Sequence, residues 1–260
     1  MYMKRSGARL GQHFLKHAWA ARALAHAVEV QLGETILEIG PGKGILTREL
    51  LALGPVIAIE KDEALVAHLH DTFAGEIANG TLTVVSADIR DVTPGKLGLK
   101  KYVLAANIPY YITGEIIRQF LESEPQPRAM ALLIQKEVAQ RITSRTESIL
   151  SLSVKAYGTP KIVGKVPRSH FSPPPNVDSA ILAITDISKD FFREVSEEDF
   201  FKVVRTGFSS KRKFLANNLS VAFDKDVVMG ALQGAAVDVK ARAEDVPLEK
   251  WKELTKKLTR

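Results

Sequence analysis

Residues 35–53 read TILEIGPGKGILTRELLAL. The first six residues form a short apolar run that ends on Gly40. The stretch after Gly44 reads as a helix. A strand and a helix are therefore predicted on either side of a turn that carries Gly40, Gly42 and Gly44. Glycine lets such a turn be tight and lets a ligand approach the backbone closely.

The same alternation continues outward. PVIAIE (55–60), LTVVSAD (82–88), KYVLAAN (101–107) and AMALLIQ (129–135) read as further strands. AWAARALAHAVEVQ (18–31), DEALVAHLHDTF (62–73), GEIIRQFLES (114–123) and KEVAQRI (136–142) read as helices between them. Strands that are apolar on both faces and alternate with helices predict a parallel sheet covered on both sides, an α/β fold. KIVGKV (161–166) and DSAILAIT (178–185) follow one another with no long helix between them, which predicts a terminal hairpin at the sheet edge. After about residue 188 only helical patterns remain, in EEDFFKVVRTGF, KRKFLANNLS, KDVVMGALQ and PLEKWKELTKKL. The expected organisation is an α/β domain over 1–188 and an all-helical domain over 189–260.

Composition narrows the function. The 260 residues are 45% hydrophobic and 25% charged, and none is cysteine. Such a chain is long enough to bury a full core. Disulfides, thiolate catalysis and cysteine-ligated metals are excluded. No run approaches the roughly 20 apolar residues of a membrane span, and the basic start lacks a signal-peptide core, so a cytoplasmic protein without membrane contact is expected. The net charge of +6 is unevenly placed. Lys4, Arg5, Arg9, Lys16 and Arg22 precede the first acid, Glu29; Lys155, Lys161, Lys165 and Arg168 form a second acid-free stretch; SSKRK (209–213) is a third. A polyanion such as nucleic acid and simple solvation of lysines both remain open at this point. His68, His70, Asp71 and Glu76 fall on one surface helix without an open three-ligand set, so no metal is expected. Lys250, Lys252, Lys256 and Lys257 read as an exposed helix face.

Two acids sharpen the glycine turn. Glu60 ends the strand after it, twenty residues beyond Gly40, where a carboxylate accepts hydrogen bonds from both hydroxyls of a ribose. Asp88 ends the next strand, where it either accepts from the amine of an adenine or caps its own turn. The glycine spacing fits G-x-G-x-x-G poorly, and Lys43 is not followed by Ser or Thr, so neither a dinucleotide fingerprint nor a phosphate loop is present. Glycine, Glu and Asp at three strand ends suit an adenosine that lacks a pyrophosphate. S-adenosyl-L-methionine is such a molecule.

With these positions, GQHFL (11–15), NIPYYIT (107–113), LLIQKEVAQRI (132–142) and HFSPPPNVDSAIL (170–182) resemble the ribosomal RNA adenine N6,N6-dimethyltransferases. The resemblance spans about residues 8 to 219. It implies a class I methyltransferase with a Rossmann-like seven-stranded sheet, followed by a small helical RNA-binding domain. It also implies S-adenosylmethionine as cofactor, ribosomal RNA of the small ribosomal subunit as partner, a part in ribosome biogenesis, and a monomer. Residue by residue, it assigns His13, Leu15, Gly40, Glu60, Asp88 and Asn107 to the methyl donor. Gly42, Lys61 and Ile89, beside these positions, complete the candidate donor site. The chain departs from the family pattern at His13, where Asn is common, at Tyr111, again in place of Asn, and in SILSLS (148–153), which replaces a YGRLS segment.

The chemistry of NIPY follows from the amine it would serve. The adenine N6 lone pair is delocalised into the ring, so the amine is a poor nucleophile. Two acceptors on its hydrogens favour a tetrahedral nitrogen whose lone pair is free to attack. The Asn107 side chain supplies one acceptor. A backbone carbonyl, that of Ile108, supplies the other, held by the fixed ring of Pro109. Tyr110 offers a face for the base, a stack worth roughly 1–3 kcal/mol, and Phe171 is expected opposite it. On its own, NIPY also reads as an Asn-Pro turn with a core tyrosine, and HFSPPP as a proline-rich turn. The expected activity is dimethylation of adenines in a small-subunit rRNA hairpin. The alternatives are an erythromycin-resistance type enzyme acting on large-subunit rRNA and a non-catalytic ribosome assembly factor. DNA adenine methylation fits less well, because its motif usually carries a second proline.

Overall fold

The computed structural model describes residues 13–259. Gly11 and Gln12, and the basic residues Lys4, Arg5 and Arg9, lie outside the described residues. The chain divides into two compact units. Of the described residues, one comprises those up to Ala139 together with Thr159–Ile187; the other comprises Gln140–Gly158 and those from Ser188 onward.

In the first unit the elements run β1 (Phe14–Leu15), α1 (Ala18–Ala25), β2 (Thr35–Ile39), α2 (Ile45–Leu51), β3 (Val56–Glu60), α3 (Glu63–Thr72), α4 (Ala74–Ala78) and β4 (Leu82–Ser86). They continue as β5 (Tyr102–Asn107), α5 (Thr113–Glu122), β6 (Met130–Gln135), α6 (Lys136–Thr143, of which residues 140–143 are counted with the second unit), β7 (Thr159–Val166), β8 (Phe171–Ser172) and β9 (Ser179–Thr185). Seven strands form one sheet in the order β4-β3-β2-β5-β6-β9-β7. The first five are mutually parallel; β9 runs antiparallel to β6, and β7 pairs antiparallel with β9 as the expected edge hairpin. The inner strands are apolar on both faces because helices cover both. From Tyr102 to Ala106 every residue is at most 1% exposed.

The chain winds from β2 outward to β4, then crosses back to place β5 on the other side of β2. The two strands lie in register from Thr35↔Tyr102 to Ile39↔Ala106. At such a reversal the connections diverge and leave a crevice at the carboxyl ends of the strands. Gly40 and Asn107 sit at that crevice.

Two features differ from the sequence reading. Helix α1 stops at Ala25 rather than near Gln31: the Ala27 N–H already bonds the Leu24 carbonyl three residues back at 3.2 Å, and further on Gly33 at φ +81° and the Glu34 carboxylate on the Gln31 N–H at 2.7 Å turn the chain into β2. The other is a two-stranded ribbon of β1 and β8, with Leu15 opposite Phe171.

The second unit holds α7 (Ile149–Tyr157), α8 (Glu197–Gly207), α9 (Leu215–Leu219), α10 (Lys225–Gly234) and α11 (Leu248–Leu258). It corrects the expectation of a single cut near residue 188, since the segment 140–158 belongs here. Ser148 and Ser151 form a capping box that starts α7. At the other end of that helix the Tyr157 ring packs 4.9 Å from Phe192 and 6.3 Å from Phe201. SILSLS is thus the first helix of this unit. Among the described residues no helix is long and apolar enough to cross a membrane.

Candidate active site

A cavity opens at the carboxyl ends of β2, β3 and β5 and of the segment after β4. Its walls include nearly all of the sequence-predicted residues: His13, Gly40, Gly42, Glu60, Lys61, Asp88, Ile89, Asn107, Ile108, Pro109 and Tyr110.

The glycine turn is shaped by its neighbours. Gly42 has φ +58°, and a Cβ there would lie 3.0 Å from the Phe14 ring. Its N–H donates to the Glu60 carboxylate at 3.1 Å. The other Glu60 oxygen accepts from the N–H groups of Lys61 at 2.9 Å and Asp62 at 3.0 Å. Glu60 is only 5% exposed, so three backbone donors hold a buried carboxylate in place and tie the tip of β3 to the turn after β2. This bears on which ligand fits. The Gly42 amide already serves Glu60, and a buried acid lies behind the turn, so the turn is poorly suited to a pyrophosphate. A nucleoside without phosphates fits the donor set, with apolar walls from Ile39, Ile59 and Ile89 for its base.

Asp88 is saturated in a different way. Arg90 grips it twice, Nε to Oδ1 at 3.0 Å and Nη2 to Oδ2 at 2.6 Å, and the Lys61 ammonium reaches Oδ2 at 2.7 Å. The Arg90 guanidinium first, and Lys61 second, hold this carboxyl well below the usual carboxylate range.

On the far side, Asn107 ends β5 and its Nδ2 donates to the His13 carbonyl at 3.1 Å. That bond orients the amide and leaves Oδ1 open as an acceptor. The Pro109 carbonyl accepts the Ile112 N–H at 3.2 Å in a 3₁₀ turn, whereas no turn hydrogen bond among the described residues ends on the Ile108 carbonyl. The Tyr110 hydroxyl shares a 2.7 Å hydrogen bond with Ser179 of β9, and burial pushes its ionisation above the ordinary range. The His13 ring lies 5.8 Å from that of Tyr110, and its Nδ1 donates to the Pro173 carbonyl at 2.8 Å. His13, the departure from the family pattern, therefore braces the HFSPPP loop.

Two predicted residues do not line this cavity. Leu15 is in the core and borders a small adjoining pocket shared with Phe14, Gly40 and Asn107. Phe171 was expected opposite Tyr110, but its pairing with Leu15 turns the ring into the core, where it is 1% exposed. Outside the cavity, Lys155 is also spent: it binds Glu147 and the Ser144 carbonyl, both at 2.7 Å. Lys252 and Lys256 likewise pair with Glu194.

Sequence reading missed Phe14, Arg90 and Tyr111 as cavity residues. Arg90 had a signal, two residues after a strand-end Asp. Tyr111, 68% exposed, had none. Glu38 was missed as well, although a lone acid in an apolar strand is a signal. It is fully buried in β2, and among the described residues neither of its oxygens has a hydrogen-bond partner.

A seven-stranded sheet with an antiparallel edge hairpin, a glycine turn and acids at the next two strand ends defines a class I methyltransferase. More narrowly, the chain belongs to the ribosomal RNA adenine dimethylase family, whose model matches residues 3–260. Ribosomal RNA small subunit methyltransferase A of Dehalococcoides mccartyi is 41% identical over 252 residues, 94% of this chain and 86% of the relative. The protein of the same name from Moorella thermoacetica is 39% identical over 264 residues, covering 95% and 91%. Among solved structures, the 23S rRNA methyltransferase ErmE superposes with a TM-score of 0.79 at 27% identity, covering 95% of this chain and all of that one. A dimethyladenosine transferase from Plasmodium falciparum superposes at 0.80 with 24% identity, over 93% and 96% of the two chains, and shares the fold.

Proposed function

We propose that this protein dimethylates the N6 amines of adenines in a hairpin of small-subunit ribosomal RNA, with S-adenosylmethionine as donor. The observation that carries the reading is the tip of β5. Asn107 has its amide nitrogen committed to His13 and its oxygen open, one residue before a carbonyl that the following turn leaves free.

Glu60 would hold the donor's ribose and Asp88 its adenine amine, with Gly40 and Gly42 beneath. When bound, the donor supplies a methyl group activated by a sulfonium. The chain's own part is orientation. Asn107 Oδ1 and the Ile108 carbonyl accept the two amine hydrogens and turn the nitrogen lone pair out of the ring. Neither group is a base, so the proton leaves after the nitrogen has become cationic. Tyr110, fixed by Ser179, gives the base a face. The base must leave its stack to reach this position. In the helical unit, exposed Lys211, Arg212 and Lys213 would hold RNA phosphates, so that RNA shape contributes much of the specificity.

The test is incubation with labelled methyl donor and separated, undermethylated ribosomal subunits, followed by mapping of the modified base. The expected product is N6,N6-dimethyladenine in small-subunit RNA. The similarity to ErmE makes large-subunit RNA the informative control, and label confined to it would overturn the substrate assignment.

A further inference from the structure

The direction in which the Asn107 amide faces depends on one hydrogen bond, from its Nδ2 to the His13 carbonyl at 3.1 Å. A carbonyl only accepts, so it draws the NH₂ end of the amide and leaves the oxygen for a substrate amine. The last torsion of an Asn side chain is broad and roughly two-fold. Were the His13 carbonyl displaced, the amide would be free to turn over and present NH₂ to an amine that needs an acceptor. Whatever fixes the His13 carbonyl therefore bears on the reaction.

The β1–β8 ribbon stops just short of it. Its pairs are Leu15↔Phe171 and Phe14↔Ser172, and at its other end the Lys16 N–H donates to the His170 carbonyl at 2.8 Å. In the same register His13 falls opposite Pro173. Pro173, Pro174 and Pro175 carry no N–H, so the facing main chain has no donor for the His13 carbonyl. That carbonyl is left to Asn107.

The side chain of His13 supplies the next rung instead. Its Nδ1 donates to the Pro173 carbonyl at 2.8 Å, and its ring lies 5.8 Å from that of Tyr110. Tyr110 is tied in turn to Ser179, on the strand that follows the loop, at 2.7 Å. Both contacts of the imidazole are thus with groups on the acceptor half of the cavity, away from Glu60 and Asp88.

We propose that His13 is a positioning residue for methyl transfer. By binding the Pro173 carbonyl with its side chain, it keeps its own carbonyl where that group selects the acceptor face of Asn107. The HFSPPP loop and the reacting amide are thereby coupled through one residue. In this role His13 touches neither the amine nor the methyl group. The bond requires an N–H at Nδ1, which both the neutral and the protonated imidazole can present, so the coupling is independent of pH. An Asn at this position would serve as well, because its Nδ2 stands the same number of bonds from Cβ as Nδ1 does. The proposal rests on the reading of Asn107 above, as the acceptor for an adenine amine.

Two measurements test it on the full chain: methyl transfer to undermethylated small subunits at saturating donor, and the side-chain NH₂ signal of Asn107 in the ¹⁵N-labelled protein, assigned by its loss in Asn107→Ala. His13→Leu removes the donor at Nδ1 and His13→Asn keeps one. His13→Ala replaces the leucine variant if the dispersion of its spectrum shows that it has not folded. In His13→Leu, kcat should fall by about three- to tenfold, the factor that corresponds to one net hydrogen bond. Affinity for S-adenosylmethionine, read by calorimetry, should not change. The Asn107 NH₂ protons should shift upfield, as for an amide released to solvent. His13→Asn should restore both the rate and the signal, and the ratio of the two rates should be flat with pH. An Asn107 signal that stays in place in His13→Leu would overturn the proposal whatever the rate does, and so would a shifted signal with an undiminished kcat. A loss confined to donor affinity would make His13 a donor ligand instead. An acid limb in the wild-type pH–rate profile that both variants lack would make Nε2 a proton acceptor; either result overturns the positioning role. If the wild-type protein fails to methylate small subunits, the substrate assignment falls, and the Asn107 signal, which needs no RNA, still decides the coupling.

Discussion

The two sides of the strand-tip cavity are built differently. At the ends of β3 and β4 the groups are carboxylates, and every oxygen is occupied: Glu60 by three backbone donors, Asp88 by Arg90 and Lys61. At the end of β5 the groups are neutral, and the acceptors that matter are open. The difference separates holding from chemistry. A carboxylate held in place by fixed donors keeps its charge, which suits a ligand with hydroxyls and an amine to anchor: Glu60 Oε2, with a single donor, keeps a free lone pair for a hydroxyl, and a bound amine would take the place of one of the donors on Asp88. An open, neutral acceptor can direct an amine's hydrogens without first removing one. Loss of a group on the first side should therefore weaken binding, and loss on the second should stop turnover.

The largest expected effect is at Asn107. Asn107→Ala should lower methyl transfer by roughly 10²–10³-fold or more, the scale seen when one preorganised polar group is removed from a reacting centre. RNA affinity, read by filter binding, should stay near that of the wild type. Transfer at the normal rate would sink the proposed mechanism.

Next comes Glu60→Gln. The amide keeps the shape but points an NH₂ at backbone N–H donors and loses charge-assisted bonds worth about 1.5–3 kcal/mol. Donor affinity should fall about 10- to 100-fold by calorimetry, while kcat at saturating donor recovers much of its value. If kcat instead collapsed as far as in Asn107→Ala, the division between the two sides would be wrong.

Arg90→Ala is subtler. Arg90 is the main reason that the Asp88 carboxyl ionises so readily. Without it the carboxyl rises toward the ordinary range, though Lys61 still restrains it. Near neutral pH Asp88 remains ionised and donor affinity should change only a few-fold. On acidification the affinity should fail at a higher pH than in the wild type. Parallel curves of dissociation constant against pH would show that Arg90 does not set the state of Asp88.

The side that holds was more legible in the sequence than the side that reacts. Gly40, Glu60 and Asp88 sit at strand ends, and a parallel sheet brings consecutive strand ends together, so their spacing along the chain carried their spacing in the molecule. Asn107 could be placed for the same reason. What pairs across long separations could not. The β1–β8 ribbon pairs Phe14 with Ser172 and Leu15 with Phe171, far apart in the chain and with no periodicity to announce it, and it decides that Phe171 faces the core. The fate of Lys155 was hidden in the same way, since its partner Glu147 lies just before a helix the pattern did not reveal.

Glu38 carries the comparison to a third carboxylate and to the smallest effect, one on stability rather than on turnover. It lies mid-strand in β2, between Ala58 of β3 and Ala105 of β5, and has none of the donors that Glu60 enjoys. Burial pushes its carboxyl from 4.5 up to about 8; the nearby Thr47 hydroxyl offsets part of this, and the charge of Glu60 adds to it. The folded protein therefore keeps a proton on Glu38 over a range in which the unfolded chain has lost it. Between about pH 4.5 and pH 8 the folded state binds more protons, so this group's contribution to stability declines as pH rises and levels off above pH 8. Glu38→Gln fixes the neutral shape and removes that decline. Melting temperatures of the two proteins should lie close together near pH 4.5 and diverge toward pH 8, where the variant should be the more stable. The difference between the two proteins cancels every other titrating group. If that difference stays flat across the range, Glu38 is ionised in the fold, and an uncompensated charge is tolerated beneath the glycine turn.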